Sequence, residues 1–339
     1  MEHQRIVFLD RNAIRVPLRR PSFPHLWRDY PHTPPDQTIA RLRDVDGGGA
    51  TIAITNRVHV GAAILHEVPS LRLVAVAATG YDHVEVAACR DHGVAVCNVR
   101  NWAVSVPEHV FALALALRRQ LPAYQAAVGQ GGWQASPTYT MLLDPLPRAL
   151  AGSTLGVIGY GALGRRVQTL AHCFDMAVLI AEHKGAAHVR EGRVPFQDVL
   201  ARSDVLVVLC PLTGETTNLI GAAELALMRP DALLINCARG GIVDEAALAT
   251  ALAQGTIGGA GVDVLSEEPP KHGNPLLTVC LPNLIVTPHV AWASLESLEC
   301  LAEQLIGTLE AFVAGVPRNL VATPDRPGAL APCRGEDVR

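Results

Sequence analysis

No apolar run in this chain approaches the roughly 18 to 20 residues needed to cross a bilayer, and FALALAL is stopped by Arg118. A membrane-spanning protein is therefore not expected. Basic residues never gather beyond the pairs Arg19-Arg20, Arg118-Arg119 and Arg165-Arg166, and formal net charge is −4. That argues against a nucleic-acid surface. The eight cysteines stand singly, without a CxxC pair or a Cys/His cluster at ligand spacing, so no metal site is expected. Cys97, Cys173, Cys210 and Cys237 fall within strand or helix patterns, where a buried free thiol is the simpler reading. The N-terminal MEHQRIVFLDRN carries acid residues in its short apolar stretch and does not read as a signal peptide. These absences lead to the expectation of a soluble, reduced, cytoplasmic protein.

What is present is size and apolar content. The chain has 339 residues, 49% hydrophobic and 18% charged, enough for two domains with substantial cores. RIVFLD, TIAITN, LRLVAVAAT and VAVCNV read as strands in the first hundred residues. Amphipathic segments near Gln37 to Val45, Gly61 to Val68 and Val84 to His92 read as the helices between them. Alternation of this kind predicts a parallel α/β unit. Ser105-Val106-Pro107-Glu108 reads as a capping box. The helix it opens is apolar nearly all round, which requires burial on more than one side, at a subunit interface or within the chain. SDVLVVLCP, ALLINCA, GGAGVDV and NLIVTPH then supply further strands of a second parallel domain. The last helix, LESLECLAEQLIGTLEAFVAG, follows that domain's final strand and is expected to cross back to the first domain. The closing stretch, PDRPGALAPCRGEDVR, has three prolines and no apolar period, which predicts disorder.

Residues 153–164, STLGVIGYGALG, run a strand into Gly159, Gly161 and Gly164 at GxGxxG spacing, and Glu182 stands 18 residues beyond at the end of MAVLIAE. A GxGxxG alone is weak in a chain with 29 glycines. Between a strand and a helix, with an acid closing the next strand, it fits the dinucleotide-binding fingerprint. Gly159 permits the tight turn, Gly161 leaves room for the pyrophosphate, and Gly164 lets helix and strand approach. Glu182 is expected to accept hydrogen bonds from the adenosine ribose and to repel a 2′-phosphate, so NAD is favoured over NADP. His183 and Lys184 point the other way.

Three groups at strand ends of the second half suit reduction of a 2-keto acid. Arg239 precedes Gly240-Gly241, Glu268 sits in SEEPP, and His289 closes NLIVTPH. Ligands of open parallel sheets bind beyond the carboxyl ends of strands. Hydride arriving at a carbonyl carbon leaves an alkoxide that needs a proton and a positive field. Histidine supplies the proton, a carboxylate orients the ring, and arginine holds the substrate carboxylate. Each has a plainer reading too: an arginine satisfying loop carbonyls, a satisfied strand-end histidine, a solvated Glu267-Glu268 pair.

NCARGGIVDEAALATAL, GAGVDVLSEEPP and TPHVAWAS, downstream of GVIGYGALG, resemble the D-isomer-specific 2-hydroxyacid dehydrogenases. The resemblance covers roughly residues 45 to 320 and includes ATGYDHVEV and NVRNWAVSVPEHV. It implies Arg239 as substrate-orienting arginine, His289 as acid/base and Glu268, rather than Glu267, as its partner. It further implies that the backbone of Ala78, Thr79 and Gly80 holds the substrate carboxylate. Ala162, Leu163, Glu182, Cys210, Pro211, Cys237, Ala238 and Asp263 match positions that line the cofactor. The implied architecture is α/β: two Rossmann-like parallel-sheet domains, with a discontinuous substrate-binding domain (1–104 plus 293–322) and an inserted NAD-binding domain (105–292), followed by a tail at 323–339. A homodimer built through the dinucleotide domains is also implied. ATGYD, NPLL and HVAWAS look most like glycerate dehydrogenases, also called hydroxypyruvate reductases. The implied reaction is NAD-dependent interconversion of a small 2-keto acid and its D-2-hydroxy acid, hydroxypyruvate or glyoxylate foremost. Pro107, Glu85 and the Arg/Pro-rich first 45 residues depart from the family pattern, which leaves substrate choice open. Two alternatives share the scaffold: an NAD-sensing corepressor-like binding protein, and an enzyme oxidising phosphite or another acid. A formate enzyme would be expected to lack the acidic partner of His289.

Overall fold

The computed structural model describes residues 3–322; the tail predicted at 323–339 lies outside the described residues. The chain divides into two compact units, residues 1–103 together with the segment from 293 onward, and residues 104–292.

The first unit contains β1 (Gln4–Phe8), β2 (His25–Asp29), β3 (Ile52–Thr55), β4 (Leu73–Val76) and β5 (Ala95–Cys97). The second contains β6 (Thr154–Ile158), β7 (Ala177–Ile180), β8 (Val205–Val208), β9 (Leu233–Asn236), β10 (Gly259–Val262) and β11 (Leu284–Val286). The chain then returns to the first unit and forms β12 (Leu320–Ala322). The first sheet runs β12-β5-β4-β3-β1-β2, with β12 antiparallel to β5 and the other pairs parallel. The second runs β11-β10-β9-β8-β6-β7 and is parallel throughout.

Parallel sheets carry helices on both faces, so their central strands bury every residue. IAIT of β3, LVAV of β4, VLVV of β8 and LLIN of β9 are each buried end to end. Removal of each such Leu, Ile or Val side chain from water contributes about 1.5–3 kcal/mol. β2 was not anticipated. It lies at the sheet edge, reads HLWRD and is only half-buried, so the apolar run that marks the inner strands is absent.

Helix Val106–Arg118 buries Val106, Val110, Phe111, Leu113, Ala114 and Leu117. It packs on helix Ala162–Cys173 and on β9 and β10 of its own unit. Most of its apolar surface is therefore consumed within the chain, while Ala112 stays exposed and Leu115 half-buried. The capping box expected at Ser105 does not form. Ser105 precedes the helix, but its hydroxyl donates to the Ala291 carbonyl at 2.9 Å and caps no helical N–H. Helix Leu295–Val313 is capped by Ser294, whose hydroxyl accepts from Ser297 N at 3.1 Å. It packs on β4 and carries Glu303 and Glu310, both paired with Arg19. Among the described residues, no helix is long and apolar enough to cross a membrane. Likewise among the described residues, no group of His, Cys, Asp and Glu is arranged to hold a metal ion.

Candidate active site

The glycine fingerprint lies where β6 passes into helix Ala162–Cys173. Gly159 has φ +95°, and a Cβ there would stand 2.4 Å from the backbone N of Cys210. A side chain at Gly164 would stand 2.5 Å from the Gly159 carbonyl oxygen. Neither position admits a Cβ without backbone movement. Gly161, by contrast, faces open space, with no atom within 4 Å of the position its Cβ would take. It begins the helix without any side-chain cap, so the first helical N–H groups are left to another acceptor. These features fit a dinucleotide pyrophosphate: two glycines demanded by packing, one that keeps the approach clear. Ala162 is exposed and Leu163 half-buried on the first turn. Cys210 and Pro211 follow β8, and Cys237 and Ala238 follow β9. Burial pushes the Cys210 thiol up to about 11 and the Cys237 thiol further still. Both therefore stay protonated and behave as small apolar side chains.

Glu182 lies two residues past β7 and is 3% exposed. Its Oε1 accepts from His183 N at 2.8 Å and Arg190 Nη2 at 2.5 Å. Its Oε2 accepts from Arg190 Nε at 2.7 Å and Arg190 N at 3.1 Å. The guanidinium and the two backbone donors hold the carboxyl far below the usual carboxylate range. Nothing in the glycine pattern announced Arg190. Lys184, whose charge alone would favour NADP, is drawn aside to Glu224 at 2.8 Å.

Arg239, Glu268 and His289 follow β9, β10 and β11, which are adjacent parallel strands in register at Asn236, Val262 and Val286. Neighbouring strands lie about 4.8 Å apart, so the three chain ends emerge side by side. His289 Nδ1 meets Glu268 Oε2 at 2.6 Å, and Leu265 N donates to Glu268 Oε1 at 3.0 Å. Glu267 instead meets His272 at 2.7 Å. His289 has φ +55°, unusual for a residue with a Cβ. The Arg239 loop is latched by Asn236, whose amide donates to the Arg239 carbonyl and accepts from Ala238 N.

Asp263, which the family resemblance implies as a cofactor-lining position, turns its carboxylate into the protein and is 1% exposed. It accepts from the Thr287 hydroxyl at 2.5 Å, from Val290 N at 2.9 Å and from Ala291 N at 2.9 Å. Its own carbonyl accepts from His289 N at 2.8 Å. Since the Thr287 hydroxyl hydrogen is committed to Asp263, Thr287 accepts from His109 Nε2 at 3.0 Å. Asp263 thus fixes the loop that carries His289 from both sides. Sequence reading missed Asn236, His109 and Thr287. The available signal was a buried polar residue closing an apolar strand, as in LLIN and GAGVD.

In the first unit, Ala78, Thr79 and Gly80 follow β4. Asn98, 3% exposed, donates its side-chain amide to the Thr79 carbonyl at 2.8 Å. Trp102 donates its indole N–H to the Thr79 hydroxyl at 2.9 Å.

Residues 111–291 match the family described as D-isomer specific 2-hydroxyacid dehydrogenase, NAD binding domain. A glycerate dehydrogenase of Methylorubrum extorquens is 47% identical over 320 residues, covering 94% of this chain and 99% of that protein. The structure of an NADPH-dependent glyoxylate/hydroxypyruvate reductase from Sinorhizobium meliloti, in complex with NADP and malonate, superposes with a TM-score of 0.78. It is 27% identical and the match spans 96% of this chain and 99% of that one. D-lactate dehydrogenase from Aquifex aeolicus, complexed with NAD and lactic acid, gives a TM-score of 0.76 at 26% identity over 94% of this chain and 99% of that one.

Proposed function

This chain belongs to the D-isomer specific 2-hydroxyacid dehydrogenase family, and from that premise we propose that it reduces hydroxypyruvate and glyoxylate to D-glycerate and glycolate. It is an NAD(P)-dependent oxidoreductase of 2-keto and 2-hydroxy acids. The observation that carries the acid–base part of this reading is the 2.6 Å contact between His289 Nδ1 and Glu268 Oε2, on the same sheet as the glycine fingerprint. The choice of substrates is supported by the 47% identity to a glycerate dehydrogenase.

A dinucleotide held at Gly159, Gly161 and Gly164 would supply the hydride chemistry at the substrate's carbonyl carbon. The remaining work belongs to the chain. Glu268 engages Nδ1 and sets the tautomer, so proton transfer to the forming alkoxide falls to Nε2 of His289. Arg239 offers a planar fork to the substrate carboxylate and a positive field to the carbonyl oxygen. In the first unit, the backbone of Ala78, Thr79 and Gly80, braced by Asn98 and Trp102, is assigned to substrate binding. Asp263 and Asn236 are positioning residues for the His289 and Arg239 loops. Glu182 is assigned to the adenosine ribose, with NADH preferred over NADPH.

A homodimer is part of this reading. Its support is the segment after helix Val106–Arg118, where Trp133, Tyr139, Leu142 and Leu146 are 55%, 90%, 69% and 59% exposed. Large apolar side chains clustered in one stretch mark an association surface.

NADH oxidation measured with hydroxypyruvate, glyoxylate and pyruvate tests the reaction. His289→Ala is expected to lower turnover on the preferred substrate by about 10²–10⁴. Unchanged turnover in that variant would remove His289 from the chemistry.

A further inference from the structure

The one acid of the fingerprint is already fully occupied. A carboxylate offers about four lone-pair sites, and Glu182 fills them with His183 N, Arg190 N, Arg190 Nε and Arg190 Nη2. Two of those donors are backbone groups fixed by the fold. The other two come from one side chain, and that side chain is 56% exposed while the Glu182 side chain is 2% exposed. A ribose diol can reach the carboxylate only by taking the places the guanidinium now holds. Further positive charge borders the same strand end. Arg193 donates to the carbonyl of Ala181, next to Glu182, at 3.0 Å. The Arg193 and Arg165 guanidiniums both lie 5.3 Å from the ring of Tyr160, inside the glycine motif.

Resting on the assignment of Glu182 to the adenosine ribose, we propose that Arg190 is the specificity-determining residue for the cofactor: it masks Glu182 and accepts a 2′-phosphate, so that the chain takes NADPH as well as NADH. An acid alone at this position rejects a 2′-phosphate by charge repulsion. With a guanidinium seated on it, the local charge is neutralised. When a 2′-phosphate arrives, the Arg190 N–H groups not committed to Glu182, at Nη1 and the second hydrogen of Nη2, offer charge-assisted donors to its oxygens. When an unphosphorylated ribose arrives, the guanidinium swings into solvent and the hydroxyls take its two sites on Glu182. Only the Arg190 half of the pair is solvent-exposed, and the exchange is possible because the ribose hydroxyls replace its two donors, so the buried carboxylate is not left unsatisfied. Lys184 is turned instead to Glu224, at 2.8 Å.

The test is equilibrium binding, independent of turnover. Calorimetry with ADP-ribose and with 2′-phospho-ADP-ribose is run on the wild type, Arg190→Ala, Arg190→Lys and Glu182→Gln. The wild type is expected to bind both. In Arg190→Ala, 2′-phospho-ADP-ribose is expected to weaken by at least about tenfold while ADP-ribose binds as well or better. Arg190→Lys keeps the charge without the fork and should fall between. Glu182→Gln should tighten the phosphorylated ligand and weaken the other. A ratio of the two affinities that stays within about twofold of wild type in Arg190→Ala overturns the inference. Failure of the wild type to bind either nucleotide overturns the cofactor assignment itself.

Discussion

Gly240 joins Arg239 to the neighbouring strand end so closely that a single methyl group there tests the catalytic geometry. A Cβ at this position would lie 1.9 Å from the Leu265 carbonyl carbon, 2.0 Å from its oxygen and 2.3 Å from Ser266 N. Ordinary contact begins at 3.4 Å, so the two backbones must separate by about 1.5 Å in Gly240→Ala, taking the difference of those two distances. All three opposing atoms are main chain, and no rotamer change relieves the clash. One segment carries Arg239; the other holds Glu268 through the Leu265 N–H. Misplacement of a reacting group by about 1 Å costs about 10²-fold in rate. We therefore expect kcat/KM for hydroxypyruvate to fall by about 10². A stability loss of about 1–3 kcal/mol should accompany it, read as a lower melting temperature. Gly241→Ala is the matched control. Gly241 has φ +76° and only Leu212 Cδ1 at 4.0 Å. Alanine there strains the backbone by about 1–2 kcal/mol but displaces nothing. It should lose comparable stability and keep kcat/KM within about threefold. The reasoning fails if Gly240→Ala retains kcat/KM within about twofold, or if the two variants lose activity alike.

Two further outcomes are expected. Arg19 draws the Glu310 carboxyl down from 4.5 to about 2, chiefly through its hydrogen bonds, and lowers that of Glu303. The folded value lies below the unfolded one, so the stabilisation is complete above about pH 4.5 and disappears as pH falls through about 2. Glu310→Gln should flatten this part of the urea-midpoint profile between those limits; a slope identical to wild type would count against the pair. For the apolar segment, light scattering should give twice the chain mass of 36.0 kDa. Trp133→Asp combined with Leu142→Asp should reduce it to the single-chain value, and a double variant that stays dimeric refutes the assigned surface.

Inner strands were legible because a parallel sheet covered on both faces demands unbroken apolar residues, and VLVV and LLIN supply them. β2 was not, since an edge strand half-exposed at HLWRD satisfies its backbone without an apolar run. Ser105 misled for a related reason. Its spacing to Glu108 matched a capping box, yet its backbone is already helical (φ −81°, ψ −17°) rather than extended as at a capping residue, and its hydroxyl turns to the Ala291 carbonyl, 186 residues away. The choice of Glu268 over Glu267 came from resemblance alone. In space the two adjacent acids point to different histidines, His289 and His272.

Local pattern along the chain specifies alternating strands and helices, glycines where a Cβ has no room, and functional side chains at strand ends. Such features depend on residues a few positions apart, so one-dimensional spacing carries them. Only the tertiary structure decided which polar groups spend their hydrogen bonds on one another. Asp263 turns inward to Thr287, Val290 and Ala291, and Arg190 settles on Glu182. A buried carboxylate takes whatever donors folding brings within about 3 Å, and distance along the chain says nothing of which those will be.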